Sequence, residues 1–162
     1  MHHRTGENEI GIRRATADDI PFIHSLAERF ARVGTPPWRD PGQMRQFHQQ
    51  SMQEVSTALS RPNELVLIAE DAQGSPLGFI YVTSTTDFFT GELQGYVADV
   101  AISEQAEGKS VARMLMERAE FWARERGLRI LALDVFALNI RARSFYQRLG
   151  YVEETLKLIK EL

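Results

Sequence analysis

The stretch that most restricts the fold runs from Leu93 to Gly127. "LQGYVADVAI" alternates as a strand does, and "SEQAEGKS" is a short polar loop. Val111, Leu115, Ala119 and Trp122 then recur at helical spacing, with Ala112 and Ala123 beside them. Arg113, Glu117, Glu120 and Arg124 take the other side, and Gly127 is a natural stop. A strand that turns within a few residues into an amphipathic helix lays that helix across its own sheet. The helix start aims free backbone N–H groups, and the positive end of its dipole, at the loop, where an anion is favoured. A plain helix N-terminus with polar neighbours reads the same way, so the loop by itself leaves both possibilities open.

Gly108-Lys109-Ser110 ends like a loop that cradles a nucleoside triphosphate. That motif needs a glycine five residues before the second one, and Ser103 stands there. The loop also lacks a second glycine and follows a strand in an otherwise antiparallel stretch. ATP chemistry therefore fails on spacing and on context.

Upstream, Ile10 and Ile12 mark a first short strand. Thr16 and Asp19 form a capping box before the run Ile20, Ile23, Leu26, Ala27 and Phe30, a helix predicted to end near Gly34. "GTPPWRDPG" is a Pro-rich loop, and a polar helix is predicted from Gln43 to about Leu59. The β-rich runs around Asp71-Ala72-Gln73-Gly74-Ser75-Pro76 read as an antiparallel hairpin. "TDFFTGE" reads as a loop. Downstream, "RILALDVFA" is a fifth strand, Asn139 caps "IRARSFYQRL", Gly150 closes that helix, and "YVEETLKLIKEL" ends as a strand or a hairpin. The expected class is mixed α/β (α+β), one domain.

Bulk properties narrow the function. At 162 residues the chain fits one domain with a real core. A net charge of -3 argues against a nucleic-acid or anionic-membrane partner, although Arg141, Arg143 and Arg148 form a local basic group. With no cysteine there is no disulfide, thiolate metal site or Cys nucleophile. No signal-peptide pattern opens the sequence and no apolar run is long enough to span a bilayer, so a cytoplasmic protein is expected. Residues 1–8, with His2 and His3, read as a flexible leader to a domain at 9–162.

"LDVFALNIRARSFYQRLGYVEET" resembles the C-terminal signature of the GCN5-related N-acetyltransferase (GNAT) superfamily, a strand followed by N-x-x-A-x-x-F-Y-x-x-x-G-[FY]. The matches are Asn139, Ala142, Phe145, Tyr146, Gly150 and Tyr151. The upstream loop falls at the position of the family's [QR]-x-x-G-x-[GA], on Glu107, Gly108, Lys109, Ser110, Val111 and Ala112. Glu107 replaces the usual Gln or Arg, and Ser110 replaces the central glycine. A carboxylate there is unfavourable to a pyrophosphate unless it points away, and Ser110 restricts the backbone. Weakened binding is the expectation.

The resemblance implies the acyl-CoA N-acyltransferase fold: a mixed, mostly antiparallel sheet flanked by helices, with strands four and five splayed. It implies acetyl-CoA as co-substrate, no metal, and transfer of acetyl to a primary amine of a small molecule or peptide. The loop would bind the pyrophosphate, and backbone around Val100, Ala101 and Ile102 would pair with the pantetheine arm. Asn139 contacts that arm, caps its helix, or does both. Tyr146 would protonate the departing thiolate; its alternative is a core tyrosine. Asp99 is the leading base, ahead of Glu92 and Asp87, and its alternative is a carboxylate buried against an arginine. His24 reads as structural. Trp38, Phe88 and Phe89 are candidate acceptor walls, or else packing or dimer residues. A homodimer through the C-terminal strands fits the family's habit. The competing function is a catalytically weak or inactive acyl-CoA-binding sensor of the same fold.

Overall fold

A computed structural model describes residues 9–26, 29 and 35–162. The expected leader at 1–8, and most of the predicted helical stretch from Ala27 to Gly34, lie outside the described residues. The elements are β1 (Gly11–Arg14), α1 (Ile20–Ser25), α2 (Pro41–Ala58), β2 (Leu65–Glu70), β3 (Pro76–Thr86), β4 (Leu93–Ile102), α3 (Val111–Glu125), β5 (Leu131–Leu133) and α4 (Ile140–Arg148). The five strands form one sheet in chain order. β1 to β4 are antiparallel neighbours, and β5 joins β4 in parallel, as a strand reached through a crossover helix does.

Strand alternation divides the core in two. Leu65, Leu67, Ala69, Ile80, Val82 and Val97 face α3, which buries Val111, Leu115, Met116, Ala119, Trp122 and Ala123. Val66, Ile68, Phe79 and Tyr81 face the other way, against Ile23 and Leu26 of the α1 region and Met52, Val55 and Ala58 of α2. Each large aliphatic side chain buried this way contributes about 1.5–3 kcal/mol of transfer free energy.

The local signals act where the sequence places them. The Thr16 amide donates to the Asp19 carboxylate at 2.8 Å, closing the capping box. Arg13 adds two bonds to the same carboxylate, at 2.7 and 2.8 Å, and one to Glu70 at 2.7 Å. Arg13 holds the Asp19 carboxyl below the usual carboxylate range. Asp40 caps α2 by accepting from the Gln43 amide at 2.8 Å, with Pro41 as the first helical residue. In the hairpin, Asp71 accepts from the amides of Gln73 and Ser75.

Two irregularities shape the middle of the sheet. β3 and β4 shift register between Tyr81 and Val82: Tyr81 pairs with Asp99 and Val82 with Val97, leaving Ala98 as the extra residue. β4 also pairs with β5 only through Gly95, Tyr96 and Val97, so the two strands part after Val97, the splay expected from the resemblance. The expected C-terminal strand does not form: residues 151–162 carry no helix or strand. Its apolar residues Val152, Leu156 and Leu158 are exposed, and the described part of β5 offers only a three-residue edge. A β-prone segment without a paired edge has no ladder to join.

Gly78 sets how closely β3 approaches β4. A Cβ there would lie 2.7 Å from the Ala101 carbonyl oxygen and 2.8 Å from Ile102 Cγ2. Gly78→Ala is predicted to cost about 1–3 kcal/mol by overpacking, read as a lowered midpoint in urea unfolding.

Candidate active site

A cleft of about 340 Å³ opens between α2 and the sheet, lined by Phe47, Gln50, Ser51, Glu54, Tyr81, Tyr96, Ala98 and Asp99. The helix contributes residues spaced i, i+3, i+4 and i+7, one face of a helical wheel. The adjoining face of the helix, with Met44, His48, Met52 and Val55, is buried. The sheet contributes Ala98 and Asp99, consecutive residues that would alternate to opposite faces in a regular strand. The bulge at Ala98 removes that alternation and turns Asp99 into the cleft.

Asp99 accepts a hydrogen bond from the Ser51 hydroxyl at 2.8 Å. Burial pushes its carboxyl up to about 6, against the smaller opposing effect of that bond. The arginine neighbour considered from the sequence is not its partner; Ser51 is. Nearby carboxylates are otherwise engaged. Glu64 accepts from the Tyr81 hydroxyl at 2.7 Å and from Arg61 at 3.2 Å, while Glu54 accepts from Arg61 at 2.5 Å. The Tyr96 hydroxyl donates to Asp134 at 2.7 Å.

Beyond Val97, Val100, Ala101 and Ile102 pair with β3 on one side and have no β5 partner on the other. Such an edge leaves alternate backbone N–H and C=O groups available to an extended ligand. The strand runs into the loop at Ser103, whose buried hydroxyl has no hydrogen-bond partner. Gly108 has φ +75° and nothing within 4 Å of where a Cβ would sit, so the loop stays open above it. Ser110 occupies the left-handed region at φ 63°, ψ 8°. The first bond of α3 runs from the Met114 amide to the Ser110 carbonyl at 3.0 Å, so the amides of Val111, Ala112 and Arg113 have no acceptor within the helix.

Glu107, the residue out of pattern, is held by two arginines. It accepts from Arg29 Nη2 at 2.6 Å and from Arg141 Nη2 at 3.0 Å. Arg141 and Arg29, in that order of weight, keep its carboxyl below the usual range. Arg29 Nη1 is buried without a hydrogen-bond partner.

On α4, Asn139 Oδ1 accepts from the Ala142 amide at 3.1 Å, so capping is one of its roles. Phe145, Tyr146 and Tyr151 stack edge to face, at 5.3 and 5.9 Å between ring centroids, against the α3 side of the core. Burial pushes the Tyr146 phenol up to about 12, which keeps it protonated at neutral pH. Of the other candidates, Asp87 is occupied by the Thr90 hydroxyl and the amides of Phe89 and Thr90, and it does not line the cleft. Trp38, Phe88 and Phe89 are exposed at 44%, 93% and 64%, and none of them lines the cleft either. His24 meets the Ser56 hydroxyl at 3.2 Å on the surface.

The profile of the Acetyltransferase (GNAT) family matches residues 23–151. The chain belongs to that family. An aminoglycoside N(6')-acetyltransferase type 1 of Stenotrophomonas maltophilia is 26% identical over 111 residues, covering 67% of this chain and 72% of the relative. An uncharacterized N-acetyltransferase of Bacillus subtilis is 29% identical over 90 residues, which are 56% of each chain. Among solved structures, the GCN5-related N-acetyltransferase of Ralstonia eutropha JMP134 superposes with a TM-score of 0.72 at 18% identity, covering 95% of this chain and 99% of that one. AAC(6')-Iy, in complex with the bisubstrate analog CoA-S-monomethyl-acetylneamine, superposes with a TM-score of 0.69 at 19% identity, with the same coverages. At these identities the likeness is one of fold. Among the described residues there is no group of metal-ligating side chains, and no helix long and apolar enough to cross a membrane.

Sequence reasoning names Trp38, Phe88 and Phe89 as acceptor walls and none of the α2 residues that line this cleft. The i, i+3, i+4, i+7 series Phe47, Gln50, Ser51 and Glu54 is the signal that could have found them. Two stability outcomes are expected at the site. Ser110→Gly relieves the left-handed strain and is predicted to raise stability by about 1 kcal/mol, or 2–4 °C in Tm for a chain of this size. The raised carboxyl of Asp99 makes ionisation a cost that sets in as pH rises from about 4 through 6. Asp99→Asn is therefore predicted to be more stable than the parent at pH 8, by on the order of 3 kcal/mol, and not at pH 3.5. Urea midpoints at the two pH values check it.

Proposed function

We propose that this protein transfers the acetyl group of acetyl-CoA to a primary amine of a small molecule or peptide. The observation that carries the reading is Asp99: a carboxyl raised by burial, turned into a cleft by a bulge, at the point where β4 leaves β5. Family membership supports acetyl transfer, and an aminoglycoside acetyltransferase among the relatives supports an amine acceptor.

The residues present fit coenzyme A. The open Gly108, the free first amides of α3, the orphaned Ser103 hydroxyl and the orphaned Arg29 nitrogen are donors in want of acceptors at the loop. Gly108 through Ala112 would hold the pyrophosphate, the edge at Val100 to Ile102 the pantetheine arm, and Asn139, Ala142 and Phe145 the α4 side. When bound, the co-substrate supplies an acyl group activated as a thioester.

The chain's own residues then divide the work. With its carboxyl near 6, Asp99 is ionised at neutral pH and takes the proton of an ammonium acceptor, directly or through water. An amine freed in this way would be the nucleophile toward a thioester carbonyl, and a β4 amide at the free edge would be the donor for the oxygen on which charge develops. Tyr146 would give its phenolic proton to the sulfur as the C–S bond breaks, and the proton that the nitrogen sheds on becoming an amide would restore the phenol, directly or through water. A phenol raised to about 12 donates only as the thiolate forms, so position governs the step.

Thiol release on an amine panel tests the reading. Tyr146→Phe is predicted to keep the Kd for acetyl-CoA and to lose kcat by about 10²-fold or more. Log kcat/KM is predicted to fall with unit slope below about pH 6, and Asp99→Asn abolishes that limb together with most of the rate. Saturable binding with no turnover on any amine would instead identify a coenzyme-binding module, and no binding at millimolar acetyl-CoA would remove the donor assignment.

A further inference from the structure

The phosphate loop already contains an anion, and that anion is part of the protein. Glu107 Oε1 is 2.6 Å from Arg29 Nη2, and Oε2 is 3.0 Å from Arg141 Nη2. The two arginines come from opposite sides of the loop in the chain, 78 and 34 residues away. Arg141 stands next to the cap of α4, and Arg29 lies beyond α1 in the chain. Both guanidinium groups therefore converge on the residue that opens the loop, immediately before Gly108.

The two guanidinium groups are not used up by this pairing. Arg29 Nη1 is buried and has no hydrogen-bond partner, with Glu104 Oε1 in ion-pair range at 3.5 Å. The Arg141 side chain is 74% exposed and gives one nitrogen to Glu107, leaving further N–H donors free. A guanidinium offers a planar fork that suits a phosphate as well as a carboxylate. Two such forks around one carboxylate, beside a row of unpaired helix amides, make a site whose natural ligand is an anion larger than Glu107 itself.

We propose that Glu107 is a built-in competitor for the phosphate site: it holds Arg29 and Arg141 while the loop is empty and yields them to the diphosphate of the acyl donor. This rests on coenzyme A as the donor. The ion pairs keep both arginines at the loop, so neither has to be ordered when ligand arrives. The carboxylate also repels the diphosphate, so donor affinity is set below what two arginines and the helix amides would otherwise give. The alternative is a permanent splint, in which Glu107 stays paired and the loop needs the pairing for its shape.

Glu107→Gln separates these two, because it removes the charge and keeps the size and an acceptor oxygen. The ligand is free coenzyme A, which binds without turnover, and calorimetry gives Kd. The competitor predicts that Glu107→Gln binds about tenfold more tightly at low salt, with the gain shrinking as ionic strength rises. Adding Arg141→Ala to Glu107→Gln is predicted to reverse most of the gain. Pantetheine, which lacks the diphosphate, is predicted to bind both forms alike. Unchanged or weaker binding of coenzyme A by Glu107→Gln, with a native circular dichroism spectrum, overturns the proposal and leaves the donor assignment standing. If neither form binds coenzyme A, the donor assignment falls and the proposal falls with it.

Discussion

Everything at the candidate site depends on β4 parting from β5. The two strands are parallel partners for three residues, Gly95 to Val97, and then separate. One step later the bulge at Ala98 re-aims β4 against β3, so the separation and the change of face coincide. Together they create a strand that is bonded on one edge, open on the other, and presents a carboxylate at the opening. Neither irregularity would suffice alone. A bulge in a fully paired strand would turn Asp99 into the cleft with no free backbone beside it. A parted strand of regular alternation would put Asp99 on the α3 face, against the apolar core. Gly78 holds the geometry from behind, since only a residue without Cβ lets β3 lie this close to Ala101 and Ile102.

Two charge arrangements lie along this strand and the loop after it, and they are built on opposite principles. Asp99 is buried and supported by a hydroxyl, so its ionisation is poised close to neutrality. Glu107 is bound by two guanidinium groups, which hold its carboxyl below the usual range. A carboxylate intended to take a proton has to be destabilised, and burial without a cation does that. One intended to hold cations in place has to be stabilised. The chain thus places a carboxyl raised by burial late in β4 and one held by two arginines in the loop just past its end.

Much of this fold was legible because its signals are local. The capping box at Thr16 and Asp19, the apolar series of α3, the hairpin around Asp71 and the stops at Gly127 and Gly150 each depend on residues within a few positions of one another. The C-terminal segment reads as a strand by the same rules, yet residues 151–162 form none, because a strand is completed by an edge elsewhere in the chain and not by its own alternation. At the site, Asp99 was visible as a carboxylate on the strand before the loop, but Ser51 as its partner was not. No spacing rule joins residues 48 apart, and the bulge that lets them meet leaves no mark in an alternating sequence. The partners of Glu107 were hidden for the same reason.

The departures from the family pattern at Glu107 and Ser110 have different physical weight. A central glycine in that loop is explained by the backbone: position 110 sits at φ 63°, where a residue with a Cβ is strained. Serine accepts the strain locally, and the amides after it keep the direction they would have with glycine, because the helix axis and not the side chain aims them. Position 107 is a matter of charge. Arg29 and Arg141 hold the carboxylate there; on the competitor proposal it changes how strongly the loop attracts phosphate without moving the loop. Recognition by backbone tolerates the first change at a cost in stability. On the competitor proposal, recognition by charge turns the second into a lowered affinity, which would also ease the departure of the spent coenzyme after each transfer.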